Sequence, residues 1–134
     1  MKSEPDVYAF EQLVKDKHTR WDGVRNFEAR NNMRAMKLGD LVLFYHSNIG
    51  KAVVGIAKVS KLAYRDPTAA AGEDWSVVEI EPIHALEKPV ELATIKADKS
   101  LTEMALLKRS RLSVVPVAQS EFDHILKLGK TKSH

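Results

Sequence analysis

The stretch LVLFYH, Leu41–His46, decides how this chain is read. It is a short, unbroken apolar run rich in aromatics, with Gly-Asp before it and Ser-Asn after it. That makes it a buried strand rather than a helix too short to stand alone. Beyond the turn SNIGK comes AVVGIAKVSKLAY, Ala52–Tyr64, which is rich in β-branched residues and partly alternating. Gly55 within it marks a bulge or a close approach of backbone. DPTAAAGED, Asp66–Asp74, is the clearest loop in the chain. After it, SVVEIEPIHAL sets Val78 and Ile80 against Glu79 and Glu81, the pattern of a strand with one wet face, which Pro82 should end or bend. Three strands of one sheet follow from these runs.

Helices flank them. In AFEQLVKD, Phe10, Leu13 and Val14 sit at helical spacing and predict a short amphipathic helix ending near Asp16. In NFEARNNMRAM, Ala29, Met33 and Met36 form an apolar stripe, and Gly39 is the expected stop. PVELATIKAD and SLTEMALLK read as two short helices, the second started by a capping box of Ser100 and Glu103. RLSVVPV, Arg111–Val117, reads as a further strand ending at Pro116. Ser120 then caps EFDHILKL, whose Phe122, Ile125 and Leu126 share a face before Gly129. Strands separated by short helices, without a regular βαβ rhythm, give an α+β, barrel-like architecture. The expected organisation is one domain over residues 1–128 and a polar tail, GKTKSH, that frays.

At 134 residues the chain can bury roughly two-thirds of its unfolded surface, enough for a core without staples. The absence of cysteine excludes disulfides, Cys-ligated zinc, iron–sulfur clusters and thiol catalysis, and fits a cytoplasmic protein. The opening MKSEPDVYAF lacks the apolar region of a secretory signal, and no apolar run is long enough to span a membrane. His18, His46, His84, His124 and His134 are scattered, so no metal motif is formed. No nucleophile elbow, P-loop or dinucleotide fingerprint is present, and neither catalysis nor a cofactor is implied. The net charge of +3 is too small to coat a surface for non-specific DNA binding. It is nevertheless concentrated: Arg20, Arg25, Arg30, Arg34 and Lys37 face only Asp22 and Glu28, and Lys108, Arg109 and Arg111 form a second cluster.

The densest polar cluster is WDGVRNFEARN, Trp21–Asn31. A planar base is recognised by stacking on aromatic or guanidinium faces and by amides that donate and accept at its edge, which Trp21, Arg25, Arg30, Asn26 and Asn31 supply. Gly23 permits close backbone approach, and the helix start near Val24–Asn26 offers free N–H groups. The competing reading makes Trp21 a core anchor, Asn26 a cap and the arginines a solvated face. In FYHS, strand alternation puts Tyr45 and Ser47 on one side and Phe44 and His46 on the other. His46 is either a binding group or a rim histidine. In RSRLSVVPV, alternation would point Arg111 and Ser113 to one side, against the plainer reading of a charged turn leading into a strand.

Taken together, KSEP (Lys2–Pro5), WDGVRNFEARN, GDLVLFYHS (Gly39–Ser47), DPTA (Asp66–Ala69) and RLSVVPV closely resemble the EVE-domain family, the thymocyte nuclear protein 1-like proteins, in order along nearly the whole chain. The resemblance implies a PUA-like fold, a small bent mixed β-barrel with flanking short helices. It implies a non-enzymatic module that accepts a modified nucleobase of DNA or RNA in a pocket between barrel and helices, with no metal, cofactor or membrane. Carried onto this sequence, the pocket residues are Ser3, Trp21, Gly23, Val24, Arg25, Asn26, Ala29, Arg30, Asn31, Tyr45, His46, Ser47, Arg111 and Ser113. In that scheme Trp21 or Tyr45 stacks on the base, Asn26 with His46 or Ser47 reads its edge, and Arg25, Arg30 and Arg111 hold phosphates. An enzyme using His46 as acid or base, and a module for small molecules or proteins, are the alternatives. Family members usually carry a few residues before the lysine of KSEP, so this chain is expected to start inside the first strand. Its loop after DPTA is shorter than in some relatives.

Overall fold

The unbroken apolar character of Leu41–His46 has a cause in three dimensions: the strand is covered on both faces. The computed structural model describes residues 1–131 and places this strand, β3, next to a long antiparallel pair, β4 (Ala52–Arg65) and β5 (Ser76–Glu91). Two short edge strands, β1 (Lys2–Ser3) and β2 (Thr19–Arg20), complete a mixed five-stranded sheet in the order β1-β3-β4-β5-β2. Among the described residues, β1 pairs with β3 in parallel and the other pairings are antiparallel. Around the sheet lie α1 (Phe10–Asp16), α2 (Phe27–Arg34), α3 (Leu92–Ala97), α4 (Ala105–Lys108) and α5 (Gln119–Leu128), with one 3-10 turn at Lys99–Leu101. The fold is α+β.

Side chains on a strand alternate between faces, so β3 feeds two cores. Val42 and Phe44 join Phe10, Leu13, Ala29, Met33, Val59 and Ile80 beneath α1 and α2. Leu43 and Tyr45 join Ile56, Ile95, Leu101, Met104, Phe122 and Ile125 beneath α3, α4 and α5. Phe44 is fully buried, with the rings of Phe10, Trp21 and His46 edge-on to it at 5.4, 5.7 and 5.9 Å. Edge-on aromatic pairs contribute about 0.5–1.5 kcal/mol each beyond the area they bury.

Several elements depart from the sequence expectation for local reasons. Pro82 bends β5 rather than ending it: the register with β4 slips between Ile56 and Ala57, opposite His84 and Pro82, so the missing N–H falls at an irregularity. Pro89–Glu91 belong to β5, and the helix expected from Pro89 begins at Leu92. The capping box of Ser100 and Glu103 does not form. Asp98 accepts instead from the Ser100 amide at 2.8 Å, tightening a 3-10 turn that delays α4 to Ala105. Helix α5 starts before Ser120, at Gln119, because the Glu121 carboxylate accepts from the Ala118 amide at 3.0 Å. Helix α2 ends at Arg34, short of Gly39.

RLSVVPV is not a strand. It is a bent, irregular segment, joined to β1 by a bond from Lys2 N to Ser113 O at 2.8 Å and to α2 by Asn32 Nδ2 donating to Val114 O at 2.8 Å. Val114 is driven into the first core, so the segment is held by burial rather than by a ladder. The first residues of the closing polar segment are also tied down. The Glu87 amide donates to Thr131 Oγ1, and the Lys88 amide donates to Gly129 O. The rest of that expected tail, Lys132–His134, lies outside the described residues.

Two features fix how α1 meets the sheet. At Gly55, where the β4 register shifts, an added Cβ would lie 2.5 Å from the Phe10 ring, so the helix sits directly on bare backbone. At its start, the Phe10 amide, one of the donors a helix leaves unpaired, gives its proton to His46 Nε2 at 3.1 Å. This assigns the neutral Nδ1–H tautomer to His46. Burial pushes the imidazole below its ordinary value, with Glu11 partly opposing.

Gly55→Ala is expected to cost roughly 1–3 kcal/mol by forcing Phe10 aside, read as a lower urea midpoint with an unchanged slope. Because folding lowers the His46 pKa, the unfolded chain binds more protons just below the ordinary value of 6.5. Stability is therefore complete above that pH and falls as pH drops through the folded midpoint. Nitrogen-15 NMR should show His46 neutral and Nδ1-protonated at pH 6.5; an Nε2-protonated ring there would contradict the assignment.

Candidate functional site

The parallel pairing of β1 with β3 sets Lys2 against Tyr45 and Ser3 against His46. Alternation sends these pairs to opposite faces of the sheet, and it divides the residues expected to share one pocket. On the first face, Ser3 Oγ donates to Tyr8 O at 2.6 Å, and His46 and Trp21 flank Phe44. Trp21 extends the pairing of β2 through its amide to Val78 O, which leaves the ring half-buried at the rim of the core. On the other face, Tyr45 and Ser47 line a separate cleft of about 530 Å³ with Lys2, Lys51 and Lys96. Tyr45 and Ser47 therefore do not complete the site of Trp21 and His46.

After Trp21 the chain turns at Gly23, whose φ of +76° suits glycine. A Cβ there would meet nothing within 4 Å, so the backbone is openly accessible. Asn26 is the N-cap of α2, its Oδ1 accepting from the Ala29 amide at 3.0 Å. Val24 and Ala29 face the core, at 7% and 0% exposure, and present no surface to a ligand. Asn31 is exposed and accepts from Arg30. Ser113 is fastened to β1 through its carbonyl, and Arg111 is exposed without an ion-pair partner among the described residues.

The arginines of the motif hold a loop. Asp66, fully buried, accepts from the Gly23 amide at 2.9 Å, Arg25 Nη1 at 3.0 Å, the Thr68 amide at 2.7 Å and Thr68 Oγ1 at 2.6 Å. Burial opposes ionisation of Asp66, but these donors outweigh it and hold the carboxyl well below the usual carboxylate range. The Arg25 guanidinium also lies 5.5 Å from the Trp75 ring centre. Trp75 stacks on Phe27 at 5.1 Å, and Arg30 sits 4.9 Å from the Phe27 ring centre while donating to Asp74 O at 3.0 Å. Arg34 binds Asp74 Oδ1 at 2.6 Å and Ser76 Oγ at 2.9 Å. Arg25 and Arg30, expected as phosphate ligands, thus brace the loop from Asp66 to Trp75 against the turn that follows Trp21.

Asp66, Trp75 and Phe27 are the residues sequence reasoning missed. The Asp-Pro-Thr string did carry a signal, since an aspartate ahead of a threonine at this spacing closes an Asx turn on its own backbone. Among the described residues, no helix is long and apolar enough to cross a membrane, and no three His, Asp or Glu side chains are grouped to hold a metal ion.

Comparison with known proteins places this arrangement in context. The EVE domain family model matches residues 1–128. Thymocyte nuclear protein 1 of Gallus gallus is 39% identical, over 87% of this chain and 57% of its own length; that of Mus musculus is 38% identical, over 98% and 73%. The chain thus spans little more than half the chicken protein and about three-quarters of the mouse one. A crystal structure of an Agrobacterium tumefaciens protein superposes with a TM-score of 0.94 at 42% identity, covering 97% of this chain and 90% of that one. A crystal structure of human THYN1 in complex with 5-methylcytosine-containing DNA superposes with a TM-score of 0.88 at 36% identity, covering 98% and 96%. By family match, sequence and fold together, this chain belongs to the EVE-domain family.

Proposed function

We propose that the protein is a non-catalytic reader that holds a base of a nucleic-acid strand, a modified base in preference to a plain one, on the face formed by Ser3, Trp21, Gly23 and the first turn of α2. The observation that carries this reading is the human relative, 36% identical across 98% of this chain and crystallised with 5-methylcytosine-containing DNA. The geometry here supports it. Trp21 offers a half-exposed ring backed by Phe44, and Gly23 leaves open backbone beside it. His46 Nδ1–H and the amide nitrogen of Asn26 remain as donors once Nε2 and Oδ1 are engaged. Of the three arginines expected to hold phosphates, Arg111 is the one with no ion-pair partner among the described residues. The same engagement of His46 Nε2 argues against acid–base catalysis, because the lone pair a general base needs is already accepting from the Phe10 amide.

Stacking on an aromatic is worth about 1–3 kcal/mol per base. Trp21→Ala should therefore weaken binding of a 5-methylcytosine oligonucleotide roughly 5- to 150-fold in fluorescence anisotropy, and Trp21→Phe should restore part of it. Equal affinity of the wild type for methylated and unmethylated strands would sink the preference for a modified base, and binding of neither would sink the reader.

Asp66→Asn tests the scaffold without touching a ligand. It should lower stability by roughly 1–3 kcal/mol by leaving buried donors poorly matched, and weaken oligonucleotide binding as the turn at Gly23 loosens. In the wild type this stabilisation is complete above the ordinary aspartate value of 3.8 and is lost as acid protonates the folded carboxylate; the variant should lack that part of the acid dependence.

A further inference from the structure

The cleft on the opposite face of β3 carries a charge pattern that neither the fold nor the base site uses. It is about 530 Å³ in volume, and Lys2, Lys51 and Lys96 converge on it together with Tyr45, Ser47 and Thr102. No carboxylate lines it, and none of the three lysines has an ion-pair partner among the described residues, although Lys58, Lys61 and Lys108 do. Leu92, Leu106 and Leu107 form an apolar wall behind the cations, and low-dielectric walls focus such a field into the cleft. Lys2 is half-buried, with Nζ fixed on Ser110 O at 2.7 Å. An ammonium positioned by a carbonyl at the mouth of a cleft that no carboxylate lines presents its charge to an anion.

We propose that this cleft is a second site, one that binds the phosphodiester backbone of the strand whose base is held beside Trp21. It rests on the function proposed above. The two sites share the β1 edge: Lys2 belongs to the cleft and the adjacent Ser3 to the base-holding face, one strand residue or roughly 3.3 Å along the chain. Ser110 lines the cleft and Arg111 follows it, so basic groups continue round that edge. A strand crossing β1 places its flanking phosphates over Lys51 and Lys96. Ser47 and Thr102 add hydroxyl donors. The sequence motif FYHS thus serves both faces, His46 toward the base and Ser47 toward the backbone.

The test uses the full chain and the double variant Lys51→Gln/Lys96→Gln, in which Lys2 and its bond to Ser110 are intact. An abasic oligodeoxynucleotide, which has the phosphodiester chain but no bases, should shift the amide NMR signals of Ser47, Asn48, Lys51, Lys96 and Thr102 in the wild type and not in the double variant. On a single strand containing 5-methylcytosine, the double variant should bind about tenfold more weakly near 0.1 M salt. Its slope of log affinity against log salt should be shallower by about 1.4, or about 0.7 per lost phosphate contact. Absence of abasic-strand shifts at the cleft overturns the proposal, and so does an unchanged salt slope in the double variant. Inorganic phosphate that reproduces the shifts at equal phosphate concentration would make this a site for the free anion and would equally overturn it. A wild type that binds the abasic strand in the cleft yet shows no preference for methylated cytosine would leave the cleft standing and remove the base reading, so the two failures are distinguishable.

Discussion

Everything in this fold depends on one strand being dry on both sides. β3 lends Val42 and Phe44 to one core and Leu43 and Tyr45 to the other, so a shift of pairing by one residue would exchange the two sets and misfit both. The register is therefore strongly specified, and what hangs from it is specified too. The parallel contact with β1 places KSEP, and the ring of Phe44 fixes Phe10, Trp21 and His46 around itself. The bare backbone of Gly55 on the neighbouring strand lets α1 lie close enough for its first amide to reach His46. Aromatic packing and a single capped amide thus bring three sequence-distant motifs to one rim.

A second organising interaction is electrostatic. Asp66 is a carboxylate removed from solvent and kept charged by four donors, two from its own turn and two from the Trp21–Asn31 segment. A buried charge without partners would be costly, and one whose partners belong to two loops locks those loops together. Trp75, Phe27, Arg25 and Arg30 extend the junction outward by stacking, so the polar motif is rigid before any ligand arrives. Preorganisation of this kind lowers the ordering cost of binding.

The sequence was most legible where local pattern and tertiary environment agree. β3 and α1 have the expected extents because an unbroken apolar run and a short helical stripe each admit one reading, and the buried face of α2 was given by Ala29 and Met33. Legibility failed where a distant partner overrode a local rule. RLSVVPV has strand composition, but burial of Val114 and a single bond to Lys2 decide its path. Ser100 and Ser120 are good caps displaced by Asp98 and Glu121. In the site, Asn26 turned out to be a local cap on the Ala29 amide, whereas the partners of Arg25 and Arg30 lie some forty residues away in the Asp66–Trp75 loop, which no local pattern links to them. Alternation along FYHS already implied two faces; assigning Tyr45, His46 and Ser47 to one pocket went against that physics.

The bond from Gly23 to Asp66 spans 43 residues, and the whole β4 hairpin arm lies within that interval. Its closure brings together two segments remote in sequence, at the entropic cost of ordering the chain between them. Neither half of the junction has a local substitute for the other: without Asp66 the turn after Trp21 loses its anchor, and without that turn Asp66 keeps only its contacts to Thr68. The turn after Trp21 is accordingly coupled to a loop remote in sequence, so the two loosen together rather than one at a time.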